Sequence, residues 1–131
     1  MSSLLSHKEL LMLTISCLLA SMILGVVGQV FIKSGLNSLG NLNFSSALIG
    51  SYLKIFLSPF VFLGICLYFM GVFFWLYALS KVDLSYAFPF VSFSYVLIVL
   101  FSWVFLGEHI SHLRWAGVIA ISIGVFLISR S

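Results

Sequence analysis

Gln29 and Lys33 stand one helical turn apart in the stretch GQVFIKSGL, at the end of an otherwise apolar run. An ammonium with an amide beneath it suits an anionic group such as a phosphate, held by charge and by hydrogen bonds together. Arg114 offers a second cation for the same purpose, although both cations could equally snorkel to lipid headgroups. Glu108 stands in the segment GEHISH, followed by His109 and His112. Its carboxylate could pair with Arg114 or meet a substrate amine. Paired histidines at short spacing can ligate a metal. Here the loop has no cysteine and no obvious fourth ligand, so a polar turn is expected and no metal site.

Glu9, Asp83 and Glu108 are the chain's three acidic residues, and none lies inside an apolar run. Carriers coupled to protons commonly place an ionisable group within the membrane, so antiport through a buried carboxylate is disfavoured. No nucleophile elbow, phosphate loop or pair of carboxylates is present. The expectation is a protein that is not an enzyme and needs no cofactor. The remaining polar candidates lie in SYAFPFVSFSY, where Pro89 interrupts an apolar segment. Proline removes one helical hydrogen bond and clashes with the carbonyl four residues back, here that of Ser85. The freed carbonyl takes a neighbouring helix, a hydroxyl or a substrate as partner. Ser85, Pro89 and Ser92 share a face, with Tyr95 and Ser102 at its edge. Either that face lines a cavity, or local hydroxyls satisfy the kink.

These residues need a membrane scaffold. The 131-residue chain is 63% hydrophobic and 7% charged, with a mean hydropathy of +1.27. Soluble domains carry about a quarter charged residues. An all-α integral membrane protein is therefore expected, as one domain over residues 1–131. Four spanning segments are predicted, at about 10–35, 59–79, 84–106 and 113–128. Ser58 and Asp83 stand as N-caps, Pro59 takes the first helical position, and Ser111 or His112 starts the last span. The first run is longer than a signal-peptide core and is read as a retained span. Phe44, Leu48, Ile49, Tyr52, Leu53 and Phe56 recur at helical spacing, with Ser45, Ser46, Ser51 and Lys54 off that face. This predicts a short interfacial helix at about 44–56, with Pro59 separating it from the next span. Cys17 and Cys66 lie in apolar runs and read as packing residues. The net charge of +3 gives no nucleic-acid signal.

Lys8, Lys81 and Arg130 fall on one side of this four-span topology and Lys33, Lys54 and Arg114 on the other. With three against three, the positive-inside rule assigns no orientation. Either a partner resolves the weak bias or the chain inserts both ways. Small residues mark close helix contacts in lipid. Thr14, Ser21, Gly25, Gly28 and Gly35 form one stripe. Gly64 and Gly71 form another, flanked by Tyr68 and Trp75. Gly117, Ala120 and Gly124 form a third. Four helices have little internal volume, so at least one stripe is expected to face another subunit.

GQVFIK, together with VDLSYAFPFVSFSYVLIVLFSWVFLGEHISHLRWAGVIAISIGVFLI, resembles the drug/metabolite transporter superfamily. The resemblance covers the end of the first span and nearly all of residues 82–128. Within that group it is most similar to the small subunits of the flippase for aminoarabinose on undecaprenyl phosphate. The matching positions are Gly28, Gln29 and Lys33; Tyr86 and Pro89; Glu108; and Arg114, Trp115 and Gly117. The chain also resembles the small multidrug resistance proteins, four-helix antiparallel dimers of dual topology whose dimer-contact glycines correspond to Gly117 and Gly124. Their carboxylate in the first helix falls at about Gly25 here. That departure favours the lipid-carrier branch over proton-coupled drug export.

The resemblance implies a small-multidrug-resistance-like bundle in the bacterial inner membrane, paired with itself or with a similar subunit. It would translocate a polyprenyl-phosphate-linked sugar or a related anionic lipid. Gln29, Lys33 and Arg114 would meet phosphate or sugar, Tyr86, Pro89 and Ser92 would shape the cavity, and Glu108 would pair with Arg114 or an amine. Gly25, Gly28, Gly117 and Gly124 would serve helix or dimer packing. A drug or metabolite exporter of the same fold and a non-transporting accessory subunit are the alternatives.

Overall fold

A computed structural model describes residues 6–131. Five helices follow one another: α1 (His7–Ser38), α2 (Leu48–Leu57), α3 (Pro59–Leu79), α4 (Leu84–Phe105) and α5 (His112–Arg130). Four of them are long and apolar enough to cross a membrane, and α2 is the short apolar helix between the first two. The protein is therefore an all-α, multi-pass membrane protein.

Local chemistry sets the ends. At the start of α1, the Glu9 backbone N–H donates to Ser6 Oγ at 3.3 Å, and the Ser6 N–H donates to Glu9 Oε2 at 2.8 Å. This reciprocal capping box satisfies two otherwise orphaned donors. α1 runs beyond the expected segment at both ends, and its 32 residues span roughly 48 Å, more than a hydrocarbon core of about 30 Å. The break between α2 and α3 falls at Ser58, whose backbone is extended, with Pro59 opening α3. Ser58 and Asp83 occupy cap positions without a side-chain capping bond. Ser111 caps α5, its Oγ accepting the Arg114 N–H at 3.3 Å.

α2 begins at Leu48, four residues after the expected start. The Asn43 side chain is the reason. Its Oδ1 accepts from Ser45 Oγ at 2.8 Å and from the Ser46 N–H at 3.3 Å, so a local turn displaces the first helical turn. Ser51, expected on the polar face, is buried and donates from Oγ to the Asn43 carbonyl at 3.1 Å. Leu48, Ile49, Tyr52, Leu53 and Phe56 remain exposed, and Phe44 still joins that face through an edge-on contact with Tyr52.

α1 is central. It packs closely on α3 and also contacts α4, while α5 packs on α4. The seam with α3 brings backbone against backbone. A Cβ on Gly28 would lie 2.7 Å from the Gly64 carbonyl oxygen, and one on Gly64 would lie 2.6 Å from that of Gly28. Gly35 meets Val61 as tightly, and Gly71 approaches the Ser21 carbonyl. The stripes of α1 and α3 thus face each other. Gly117 and Gly124 on α5 have nothing within 4 Å. Cys17 and Leu18 form a small core with Ala78 and Ala87 at the α3–α4 turn, flanked by Trp75 and Phe90. Away from that turn α4 leans on α1 more than on α3, and a cleft remains between the three helices.

Candidate functional site

The cleft between α1, α3 and α4 has a volume of about 400 Å³. α1 contributes Ser21, Gly25 and Gln29, α3 contributes Tyr68 and Trp75, and α4 contributes Ser94 and Tyr95. A second cleft of about 230 Å³ continues toward the interface, lined by Gln29, Lys33, Ser102 and Glu108. Gln29 and Ile98 line both, so the two adjoin and together make a groove along α1. From Leu18 to Lys33 it follows about 22 Å of the α1 axis. The core of Cys17, Leu18, Ala78 and Ala87 lies at its inner end.

The two compartments differ in charge. Lys33 and Glu108 belong to the outer one, and no charged side chain lines the inner one. Backbone geometry brings Glu108 there. Gly107 adopts a left-handed φ of 65°, readily accessible to glycine. The Glu108 N–H then donates back to the Ser102 carbonyl at 3.1 Å, turning the chain over the end of α4. Lys33 lies on the same side of the bundle because Leu10 to Lys33 already spans roughly 35 Å of helix.

Several hydroxyls in the bundle are occupied by their own helices. Thr14 donates to the Leu10 carbonyl, Ser16 to Met12 and Ser122 to Val118, each at 2.8–2.9 Å. Ser94 is bonded likewise to Val91. Among the described residues, the side chains of Ser21, Gln29, Tyr68, Tyr95 and Ser102 make no such bond. The groove therefore presents free donors and acceptors along apolar walls, a combination suited to orienting a ligand.

Of the candidate site and packing residues named from the sequence, the groove brings together Gly25, Gln29, Lys33 and Glu108, joined by Tyr95 and Ser102 from the edge of the polar face expected on the third span. Tyr86, Pro89, Ser92 and Arg114 line neither compartment. Tyr86 is exposed and packs against Phe90 at a ring distance of 6.0 Å. Pro89 is buried, Ser92 is half-buried, and Arg114 is exposed in the first turn of α5. Gly28 is buried in the α1–α3 seam, below Tyr68.

The profile of the EamA-like transporter family matches residues 2–130. The chain belongs to the EamA-like transporter family. Among curated proteins it is similar to the probable 4-amino-4-deoxy-L-arabinose-phosphoundecaprenol flippase subunit ArnE of Yersinia pestis (strain Pestoides F). The two are 40% identical over 60 residues, covering 46% of this chain and 53% of that protein. A protein of the same name from Aeromonas hydrophila subsp. hydrophila is 35% identical over 71 residues, covering 54% of this chain and 62% of its own. The aligned region thus spans about half the length of the curated relatives. No solved structure matches.

For this EamA-like transporter, the groove adds residues that the sequence reading did not assign to a site: Ser21, Tyr68, Trp75 and Ser94. A signal existed for two of them, since Tyr68 and Trp75 lie seven apart beside the glycines of α3 and so share a face. On α4 the lining face runs through Val91, Ser94, Tyr95, Ile98 and Ser102. It is rotated from the face through Ser85, Pro89 and Ser92. Burial of Ala87 and Pro89 sets that rotation.

Proposed function

We propose that this chain is a subunit of a lipid flippase in the bacterial inner membrane, moving a polyprenyl-phosphate-linked sugar or a related anionic lipid. The observation that carries the reading is the groove itself, with a cation and an amide at its interfacial end and an uncharged interior. Lys33 and Gln29 would hold the phosphate, and Glu108 would meet an amine or balance the lysine. Arg114, exposed at the same membrane surface, would draw anionic headgroups toward the mouth. Tyr86, Pro89 and Ser92 act, in this reading, through the shape of α4. The names of the curated relatives support the same class of cargo. A cationic-drug exporter fits less well, because no carboxylate lines the inner compartment and Gly25 stands where one would be needed.

A second subunit completes the design. The outward stripe at Gly117 and Gly124 offers a close contact to another copy of this chain or to a similar four-helix subunit. Reconstitution into vesicles, with and without such a partner, tests the function. Headgroup accessibility of a prenyl-phosphate-linked sugar is expected to equilibrate across the bilayer faster than in empty vesicles. The variant Lys33→Ala with Arg114→Ala is expected to lose at least tenfold in rate. Rates equal to empty vesicles, or full activity in the double variant, would overturn the proposal.

A further inference from the structure

We infer that the two compartments of the groove divide the ligand: the Lys33 end takes a phosphate, and the inner chamber of Tyr68, Trp75, Tyr95 and Ser21 takes an uncharged sugar ring. The inference rests on the flippase reading above and goes beyond it in assigning a ring subsite to residues outside the charged mouth.

The chemistry of the chamber selects the ring. A sugar ring carries apolar C–H faces and a rim of hydroxyls. Aromatic side chains offer flat apolar surface with a polar tip. Here the Trp75 ring is held by an edge-on contact with Phe88 at 6.0 Å. The Tyr68 ring stands over Gly25, where a Cβ would be 4.0 Å from the ring carbons, so the absence of a side chain at Gly25 leaves room between the ring and α1. Ser21, Gln29 and the two tyrosine hydroxyls have no hydrogen-bond partner among the described residues. A hydroxylated ligand would satisfy them. An alkyl chain would leave them unpaired, and a lipophilic cation would find no carboxylate.

Spacing agrees. Along α1, Gln29 lies about 6 Å and Gly25 about 12 Å inward of Lys33. A phosphate and a ring joined directly to it fit that interval, with the ring beside Gln29 and Tyr68. The prenyl chain stays outside the chamber, in lipid.

Two probes separate the compartments: a short-chain prenyl phosphate, and the same lipid carrying one pentose on its phosphate. Both are titrated into purified protein in nanodiscs, with binding read by calorimetry. The pentose-bearing lipid is expected to bind about tenfold more tightly, the increment of one or two good neutral hydrogen bonds. In Trp75→Leu and in Tyr95→Phe that ratio is expected to fall toward one. Tyr95→Phe removes a single hydroxyl and so guards against loss of folding. In Lys33→Gln both affinities should fall while their ratio persists. A wild-type ratio near one, or a ratio unchanged in both chamber variants, overturns the ring subsite and leaves the anionic-lipid reading standing. Absence of binding by either lipid overturns both.

Discussion

Gly28 and Gly64 meet backbone to backbone, whereas Gly117 and Gly124 meet nothing within 4 Å. Both are small-residue stripes at helical spacing, and in the sequence they look alike. In lipid, helices gain little from hiding apolar surface from one another, so close van der Waals approach must hold them together. The α1–α3 seam achieves this within one chain. It also fixes Tyr68 over Gly25 and thereby one wall of the groove. The α5 stripe makes no comparable contact, and α5 has no buried residue. The contrast separates glycines that the monomer requires from glycines that a monomer leaves unused.

The largest expected effect breaks the seam. In Gly64→Leu the side chain would have to occupy the space of the Gly28 carbonyl and the Ile32 backbone N–H, which a Cβ alone would approach to 2.6 and 2.9 Å. Neither is a flexible side-chain end that can swing away. The helices must separate, and the folded bundle is expected to be lost. Gly28→Ala is the milder form. Alanine gains up to about 1 kcal/mol of helix propensity, but overpacking against a backbone carbonyl costs about 1–3 kcal/mol. Destabilisation should win at Gly28 and Gly64. At Gly71 the nearest atoms lie at 3.2 and 3.3 Å, so Gly71→Ala should be near neutral. Unfolding in bicelles, followed by steric trapping, measures the series. Equal effects at Gly28 and Gly71 would contradict the close approach at Gly64.

Next in size is a variant that spares the seam and addresses α5. Gly124→Leu faces open space in the single chain, so it should leave the unfolding free energy within about 0.5 kcal/mol, as surface substitutions usually do. If a second subunit packs there, the same leucine holds the helices apart. Dimerisation measured by energy transfer between labelled copies, or between this chain and a similar subunit, should weaken at least tenfold. Unchanged association would move the interface elsewhere.

The spans were legible because charge and proline mark their ends and nothing polar enough to deny them lies between. Pro59 and the Ser80–Asp83 turn bound α3 in sequence as in structure. What was not legible depended on interactions at a distance from the residue concerned. Asn43 captures Ser45 and Ser46 and delays α2, a contest between side chain and backbone that apolar periodicity does not register. On α4, proline and hydroxyls pointed to a face, but the rotation of the helix follows from packing on α1 and from burial of Ala87 and Pro89. The polar face was one step around the helix from the one expected. Gln29 is legible because an amide one turn from Lys33, at the end of an otherwise apolar run, stands out. Tyr68 and Trp75 stand in the sequence only as flanks of a glycine stripe, and aromatic residues beside glycines serve ordinary packing equally well.

The smallest effect is the most discriminating, because its sign differs between two measurements on the same protein. Gly117→Ala and Gly124→Ala add a Cβ where nothing stands within 4 Å. Each should therefore stabilise α5 by a fraction of the roughly 1 kcal/mol that separates glycine from alanine in a helix. In a contact where two helices approach as closely as α1 and α3 do, the same methyl group is a steric obstacle. The double alanine variant should thus unfold at slightly higher denaturant as a monomer, yet associate more weakly. A stripe that only faces lipid would show the first change and not the second. A stripe packed within the monomer would show the loss expected at Gly28. Comparing the two free energies in one variant assigns the α5 stripe without knowledge of the cargo, and Gly25→Ala, whose Cβ would stand at ordinary contact distance, 4.0 Å from Tyr68, is the internal reference.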